Sequence, residues 1–177
     1  MTDILKVIMA EKNEKCDRCK KPAKIILPYG PHRLCAEHFI LFFEKRVKRT
    51  TNSSKMLRYG EKIAAGVSGG KDSMVTLHLL NEMFGKTGMN KIEAIIIDEG
   101  IKGYRDNAIK IALDYCKKNR IKAHLVKMNE ELGTGMDKVM EKISDDPDLG
   151  STCSFCGVFR RKLLNKKALE IKADKIA

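Results

Sequence analysis

Three short stretches of this chain combine residue types and spacings that chemistry can use. Ser68-Gly69-Gly70-Lys71-Asp72-Ser73 follows the apolar run Ile63-Ala64-Ala65-Gly66-Val67 and opens an apolar-periodic segment. A strand that turns through glycines into a helix start is a phosphate cradle. Residues without Cβ let successive N–H groups curl against an anion, and the first helical turn adds unpaired donors and a partial positive charge. Lys71 brings a mobile full charge to the same place. Cys16-x-x-Cys19, followed after fifteen residues by Cys35-x-x-His38, offers three thiolates and an imidazole. That set closes a tetrahedron around zinc and leaves no position for a substrate, so its role is structural. His32 is a competing nitrogen, but the spacing of Cys35 and His38 suits a knuckle better. Cys153-x-x-Cys156 stands alone and is compatible with a redox dithiol, half a zinc site or two ligands of an iron-sulfur cluster.

Spacing excludes one reading of the glycine loop. A Walker A loop follows G-x-x-x-x-G-K-[ST], whereas Gly66 and Gly70 enclose three residues and Asp72 follows Lys71. The order S-G-G-x-D-S instead resembles the PP-loop of ATP pyrophosphatases, which holds the leaving pyrophosphate while ATP adenylates a carbonyl-type oxygen.

The elements that must position these groups alternate between strand and helix. Strands are expected over Lys62 to Val67, Ile92 to Asp98 and Ile121 to Lys127, with helices from Asp72 to about Phe84 and from near Tyr104 to Lys118. Continuous apolar stretches such as Ile95-Ile96-Ile97 fit parallel strands buried on both faces, which predicts a doubly wound α/β sheet with right-handed crossovers. Ligands of such sheets sit beyond the carboxyl ends of strands, which puts Ser68 to Ser73 and Asp98-Glu99-Gly100 along one edge. Asp98 there either meets a nucleotide or caps a turn. Further on, a helix over about Met136 to Ile143 and a polar loop over Ser144 to Gly150 lead to the second cysteine pair. That pair is expected in a loop at the start of a basic helix ending near Ala168, where the helix N-terminus favours thiolate. Ala173 to Ala177 opens another strand, so the chain is expected to stop in mid-fold. Cys116 reads as a small core residue.

Upstream, Phe39, Ile40, Phe43 and Val47 recur at helical spacing from about Ala36 to Val47, and Lys45, Arg46, Lys48 and Arg49 crowd the helix end. Thr50 to Ser54 reads as a linker. The expected organisation is a zinc-knuckle module with its basic helix and linker over residues 1–54 and an incomplete α/β nucleotide domain over residues 55–177.

Composition narrows the class. In 177 residues, 35 Lys and Arg against 23 Asp and Glu leave a formal charge of +12, which favours a polyanionic partner such as RNA, DNA or an acidic protein. No stretch approaches the roughly 18 to 20 apolar residues of a membrane span, and Met1 to Ala10 lacks a cleavable leader, so no membrane partner and a cytoplasmic location are expected. Six cysteines in a cytosolic chain read as metal or redox ligands instead of disulfides.

The order of these motifs, two zinc knuckles, a PP-loop, then Cys153-Ser154-x-Cys156-Gly157-x-x-Arg160-Arg161, resembles the TtuA and TtcA group of tRNA thiolases. The resemblance runs from about Cys16 to Ala177 and is nearest to the branch making 2-thiouridine, which includes the cytoplasmic wobble-uridine enzymes. It implies zinc on Cys16, Cys19, Cys35 and His38. It also implies ATP with Mg2+ on Val67, Ser68, Gly69, Gly70, Lys71, Asp72 and Ser73, with Ile97 near adenine and Arg160 on the phosphates. Cys153 and Cys156 would hold a 4Fe-4S cluster and take part in catalysis. The implied reaction adenylates the C2 oxygen of a tRNA uridine, and sulfur then displaces AMP. The partners implied are tRNA, a sulfur donor (sulfide, persulfide or a ubiquitin-like carrier) and a second copy in a homodimer. Basic groups over Lys45 to Arg49, Lys55, Arg58 and Arg160 to Lys167 would meet tRNA phosphates. Relatives of this kind continue past the last strand into a segment with an acidic catalytic residue and a third cluster cysteine. Two other readings remain open: an adenylating amide-forming ligase, which needs no Cys153 or Cys156, and a zinc-containing RNA-binding module without catalysis.

Overall fold

A computed structural model describes residues 8–9, 14–29, 32–101, 103, 105–145 and 152–177, with the side chains of 8–9, 143–145 and 152–153 excepted. Most of Met1 to Ala10, Tyr104 and Asp146 to Gly150 therefore lie outside the described residues, while Ser144 and Asp145, expected in a loop, are helical. The chain divides into two compact units, Met1–Leu57 and Arg58–Ala177.

In the first unit, β1 (Ile8–Met9), β2 (Ile25–Leu27) and β3 (His32–Leu34) form an antiparallel ribbon, followed by helix α1 (Ala36–Ser53). Four buried residues of this unit, Cys16, Leu27, Leu34 and Cys35, form one small cluster, against which Cys19, Ile25, Phe39 and Phe42 pack. Helix α1 overruns the expected linker, since Thr50 to Ser53 are helical. Intrinsic propensity at these β-branched and polar residues is weak, yet the helix continues through them. Thr50 and Thr51 wall an apolar groove with Phe39, Phe43, Val47 and Met56. Within that groove the Arg46 guanidinium lies over Tyr29, 5.5 Å from the ring centroid, and over Phe42 at 5.8 Å.

The second unit carries a four-stranded parallel sheet made of β4 (Lys62–Gly66), β5 (Lys91–Asp98), β6 (Lys122–Lys127) and β7 (Lys175–Ile176) in the order β6-β5-β4-β7. Between them lie α2 (Lys71–Leu80) with a π-helical turn at Asn81–Gly85, α3 (Asp106–Lys118), α4 (Met128–Leu132), α5 (Met136–Asp145) and α6 (Thr152–Glu170). Strands β4, β5 and β6 advance in one direction, and the chain then returns across the sheet to place β7 beside β4. The strand order reverses there, which is the crevice where open α/β sheets bind ligands. Alternation along β5 serves both faces. Ile95 and Ile97 join Leu163 and Ala168 of α6 in one buried cluster, while Ala94 and Ile96, also buried, point to the opposite face.

Near the start of β5, Glu93 is buried at 1% exposure, 2.7 Å from Nε2 of His124 on β6 and 3.1 Å from Nζ of Lys91. Burial alone would raise its pKa, but the hydrogen bond from His124 and the charges of Lys91 and Lys62 hold it below the usual carboxylate value. A depressed carboxyl pKa stabilises the fold above the unfolded value near 4.3, and that stability is lost as pH falls through the depressed folded value. Glu93→Gln is therefore expected to flatten the acid limb of a thermal-midpoint-versus-pH curve below about pH 4.3. His124→Ala should lower the midpoint at neutral pH by about 1–3 kcal/mol worth of stability, because the buried carboxylate loses a donor. A wild-type acid limb in Glu93→Gln would show that other groups carry the effect.

Candidate active site and metal centre

The glycine loop is braced from within. Ser73 Oγ lies 3.0 Å from the Gly70 carbonyl, 3.1 Å from the Ser68 N–H and 3.0 Å from Ser68 Oγ. A hydroxyl has one proton and two lone pairs. Donating to the Gly70 carbonyl and accepting the Ser68 N–H, with Ser68 Oγ within hydrogen-bond distance, Ser73 holds the loop shape from inside. Gly69 sits at φ +75° with its α-carbon face against the backbone of Ala108 in α3. Gly70 is the N-cap of α2, whose first turn presents N–H groups with no intrahelical acceptor. Lys71 and Asp72 are exposed at this rim.

Beside the loop lies a cleft of ≈ 220 Å³ lined by Gly66, Val67, Ser68, Ile95, Ile97, Glu99, Arg105, Arg160 and Leu164. Its floor is apolar and one wall is charged, a combination suited to an aromatic base with an anionic tail. Of the residues singled out by sequence, Val67, Ser68, Ile97 and Arg160 line this cleft, and Gly69 to Ser73 form the loop continuing from it. Asp98 takes no part in the lining. Its Oδ1 accepts the Gly100 N–H at 2.9 Å, so it caps the turn, where Gly100 has φ +70°.

Glu99 and Arg105 complete the charged wall. Arg160 Nε donates to Glu99 Oε1 at 2.9 Å, and Arg160 Nη2 lies 2.7 Å from the same oxygen. The Arg105 Nε atom is 3.3 Å from Glu99 Oε2. Arg160 Nη2 also reaches Cys156 Sγ at 3.4 Å. One guanidinium thus touches both the cleft's buried carboxylate and the second cysteine pair. That pair lies in the first turns of α6 and not in the expected loop, because the helix already begins at Thr152. Cys156 is half-buried against the core cluster of this unit, and the side chain of Cys153 lies outside the described residues. Gly66 allows this approach of helix to strand, since a Cβ there would stand 3.3 Å from Leu164 of α6.

Several basic residues expected to face tRNA have partners inside the chain. Lys166 pairs with Glu131 at 2.6 Å and Lys167 with Glu170, while Arg46 covers its two aromatic rings and Arg160 is held by Glu99.

In the first unit, Cys16, Cys19, Cys35 and His38 bring their ligand atoms within 4.8 Å of one another. A tetrahedral zinc has edges of about 3.8 Å between sulfurs and about 3.5 Å between sulfur and nitrogen, given its usual bond lengths. Here Cys19 and Cys35 sulfurs are 3.7 Å apart, and His38 Nδ1 lies 3.4 Å from Cys35 Sγ and 3.5 Å from Cys16 Sγ. The residues fit the ion. The turn from Cys16 to Lys21 is closed by Lys20 at φ +59° and by the Arg18 N–H, 3.5 Å from Cys16 Sγ. Burial disfavours the Cys16 thiolate, but backbone N–H groups of Cys35, Arg18 and Cys19 outweigh it and bring the pKa down to about 6. His32 is outside the cluster, tilted against Phe42 with ring centroids 6.3 Å apart. Cys116 is buried at 1% exposure in α3, and burial pushes its thiol pKa up, as suits a core residue. Among the described residues no helix is long and apolar enough to cross a membrane.

Comparison with known proteins agrees with this architecture. The chain is 38% identical over 168 residues to the tRNA 2-thiolation protein NcsA of Haloferax volcanii, covering 92% of this chain and 51% of that protein. It is 39% identical over 163 residues to the tRNA-5-methyluridine(54) 2-sulfurtransferase of Pyrococcus horikoshii, covering 92% of this chain and 49% of that one. Its fold matches the solved U34-tRNA thiolase NcsA of Methanococcus maripaludis, determined with its [4Fe-4S] cluster, at a TM-score of 0.78 and 36% identity, covering 92% of this chain and 51% of the other. The chain thus spans about half the length of the relatives it matches. The sequence profile of the PP-loop domain matches residues 41–144, and the chain belongs to the PP-loop family.

Proposed function

We propose that this protein acts in the ATP-dependent 2-thiolation of a tRNA uridine, holding the ATP that adenylates the C2 oxygen and the cysteines that deliver sulfur. The observation that carries this reading is Arg160, which joins the nucleotide cleft to Cys156 through contacts of 2.7 and 3.4 Å. An amide-forming ligase has no use for a thiol in that position. A pyrimidine C2 oxygen is a very poor leaving group, and linking it to AMP lets it depart. Loop N–H groups, the α2 N-terminus and Lys71 would face the charge that develops on pyrophosphate. Bound Mg2+ would share that charge. Sulfur must then attack before water does, which favours thiols next to the cleft.

Cys153 and Cys156 lie three positions apart on one helix and would supply two thiolates of a [4Fe-4S] cluster, with the Arg160 cation beside Cys156 favouring the ligating form. Such a cluster would carry the sulfur to be transferred. Zinc on the four N-terminal ligands would be structural. The relatives' names divide between U34 and position 54; we take U34, the wobble position, in line with the solved neighbour. The setting would be cytoplasmic, with sulfide, a persulfide or a ubiquitin-like carrier as donor.

Two measurements test the reading on anaerobically purified protein. ATP with Mg2+ should bind, and Lys71→Ala should weaken it on the order of tenfold or more. Iron and acid-labile sulfide should vanish in Cys153→Ser and Cys156→Ser while zinc stays at the wild-type level. An iron content unchanged by both substitutions would remove the sulfur half of the proposal.

A further inference from the structure

The two acidic residues that follow Ile97 have separate roles. Asp98 closes a turn, whereas Glu99 is buried at 1% exposure and faces two arginines from different elements. Arg105 is the N-cap residue of α3, and its side chain is 12% exposed. Arg160 lies in α6, and its side chain is 45% exposed. A carboxylate so deeply buried costs several kcal/mol unless cations and hydrogen bonds compensate it, and both are present here. The three groups sum to one positive charge on the cleft wall.

The arrangement is incomplete on one side. Glu99 Oε1 is fully engaged by Arg160, but Glu99 Oε2 and Arg105 Nε, although 3.3 Å apart, are both buried and make no aligned hydrogen bond among the described residues. Natural interiors rarely leave two such atoms unpaired, and those that do are often functional. Without Glu99, two guanidinium groups converging on one cleft would repel each other and sample many rotamers. With it, both guanidinium groups are held on the cleft wall, where the N–H groups they have left over can meet an anion.

We propose that Glu99 is a positioning residue that holds Arg105 and Arg160 side by side as a two-guanidinium clamp for the phosphates of the bound nucleotide. Arg105 is then a phosphate ligand in its own right. This rests on the nucleotide reading above.

The test is calorimetric titration of the purified protein with ATP, inorganic pyrophosphate and adenosine. Glu99→Gln and Arg105→Ala are each expected to weaken ATP and pyrophosphate on the order of tenfold and to leave adenosine unchanged, because only charged contacts are lost. Glu99→Asp, which keeps the charge, should restore part of the affinity. A merely structural glutamate would lower adenosine and ATP affinity together, and that result overturns the proposal. So does unchanged ATP affinity in Glu99→Gln. Should Glu99→Gln fail to fold, Arg105→Ala decides, and wild-type pyrophosphate affinity in that variant overturns the clamp. Loss of affinity in Lys71→Ala without loss in Glu99→Gln or Arg105→Ala sinks the clamp alone. Absence of ATP binding by the wild type sinks both the clamp and the nucleotide reading.

Discussion

Alanine at position 69 is expected to abolish ATP binding, by a hundredfold or more in affinity, while neighbouring Gly70→Ala retains most of it. Gly69 has φ +75°, and a Cβ built there would stand 2.2 Å from the Ala108 carbonyl oxygen and 2.6 Å from its carbon. Those are backbone atoms of α3, which cannot swing aside as a flexible side chain would. The left-handed conformation itself costs an alanine about 1–2 kcal/mol, and the overlap forces the loop away from α3 as well. Displacing Gly69 also displaces the Ser68–Ser73 brace and the N-terminus of α2, which are the anion-facing parts. At Gly70 the added methyl would meet only Ser68 Oγ, at 3.4 Å, an ordinary contact. Titration with ATP and Mg2+ on both variants, with thermal midpoints beside it, checks this. The expected stability loss for Gly69→Ala is about 2–4 kcal/mol. Undiminished ATP affinity in Gly69→Ala would show that the loop does not hold the nucleotide.

Removing the metal is expected to unfold the first unit and leave the second intact. Of the four buried members of its cluster among the described residues, Cys16 and Cys35 are themselves ligands, so half of that cluster is metal site. Strands of two and three residues add little by themselves. Structural zinc supplies about 10–16 kcal/mol of apparent binding free energy in small domains, far more than this cluster can provide by burial. Chelation, or Cys16→Ser with Cys35→Ser, should release about one zinc per chain. Limited proteolysis should then cut within residues 1–57 while Arg58–Ala177 keeps its own thermal transition and its ATP affinity. Full protease resistance of the first unit without metal would refute a structural zinc site.

What could be read from the sequence was whatever is encoded locally. The glycine loop, the knuckle spacings and the apolar strands β4, β5 and β6 each depend on residues within a few positions of one another. The charged wall does not. Glu99 and Arg160 are 61 positions apart, and their meeting depends on α6 crossing the face of β5. A Glu beside an Asp at a strand end gives no signal of which one turns inward. Arg105 is hidden for the same reason, in a segment that reads as the first turn of a helix, whereas it is the N-cap residue of α3. The end of α1 is not legible locally because Thr50, Thr51, Asn52 and Ser53 are weak helix formers, and Thr50 and Thr51 line a groove with Val47 of the same helix and Met56 from elsewhere in the unit. The second cysteine pair looked like a loop because Ser, Cys and Gly favour one, yet Phe155 and Phe159 pack against the core from the same helix.

Strand β5 carries one sequestered acid near each end, Glu93 beside His124 and Glu99, just past the strand, between two arginines. Six residues of extended chain separate them by about 20 Å, well beyond the roughly 7–10 Å within which substitutions couple, and they share no partner among the described residues. Robustness and activity can therefore be engineered independently in this molecule. A well-packed apolar pair replacing Glu93 and His124 offers a route to a hardier scaffold whose chemistry, at the far end of the same strand, is untouched.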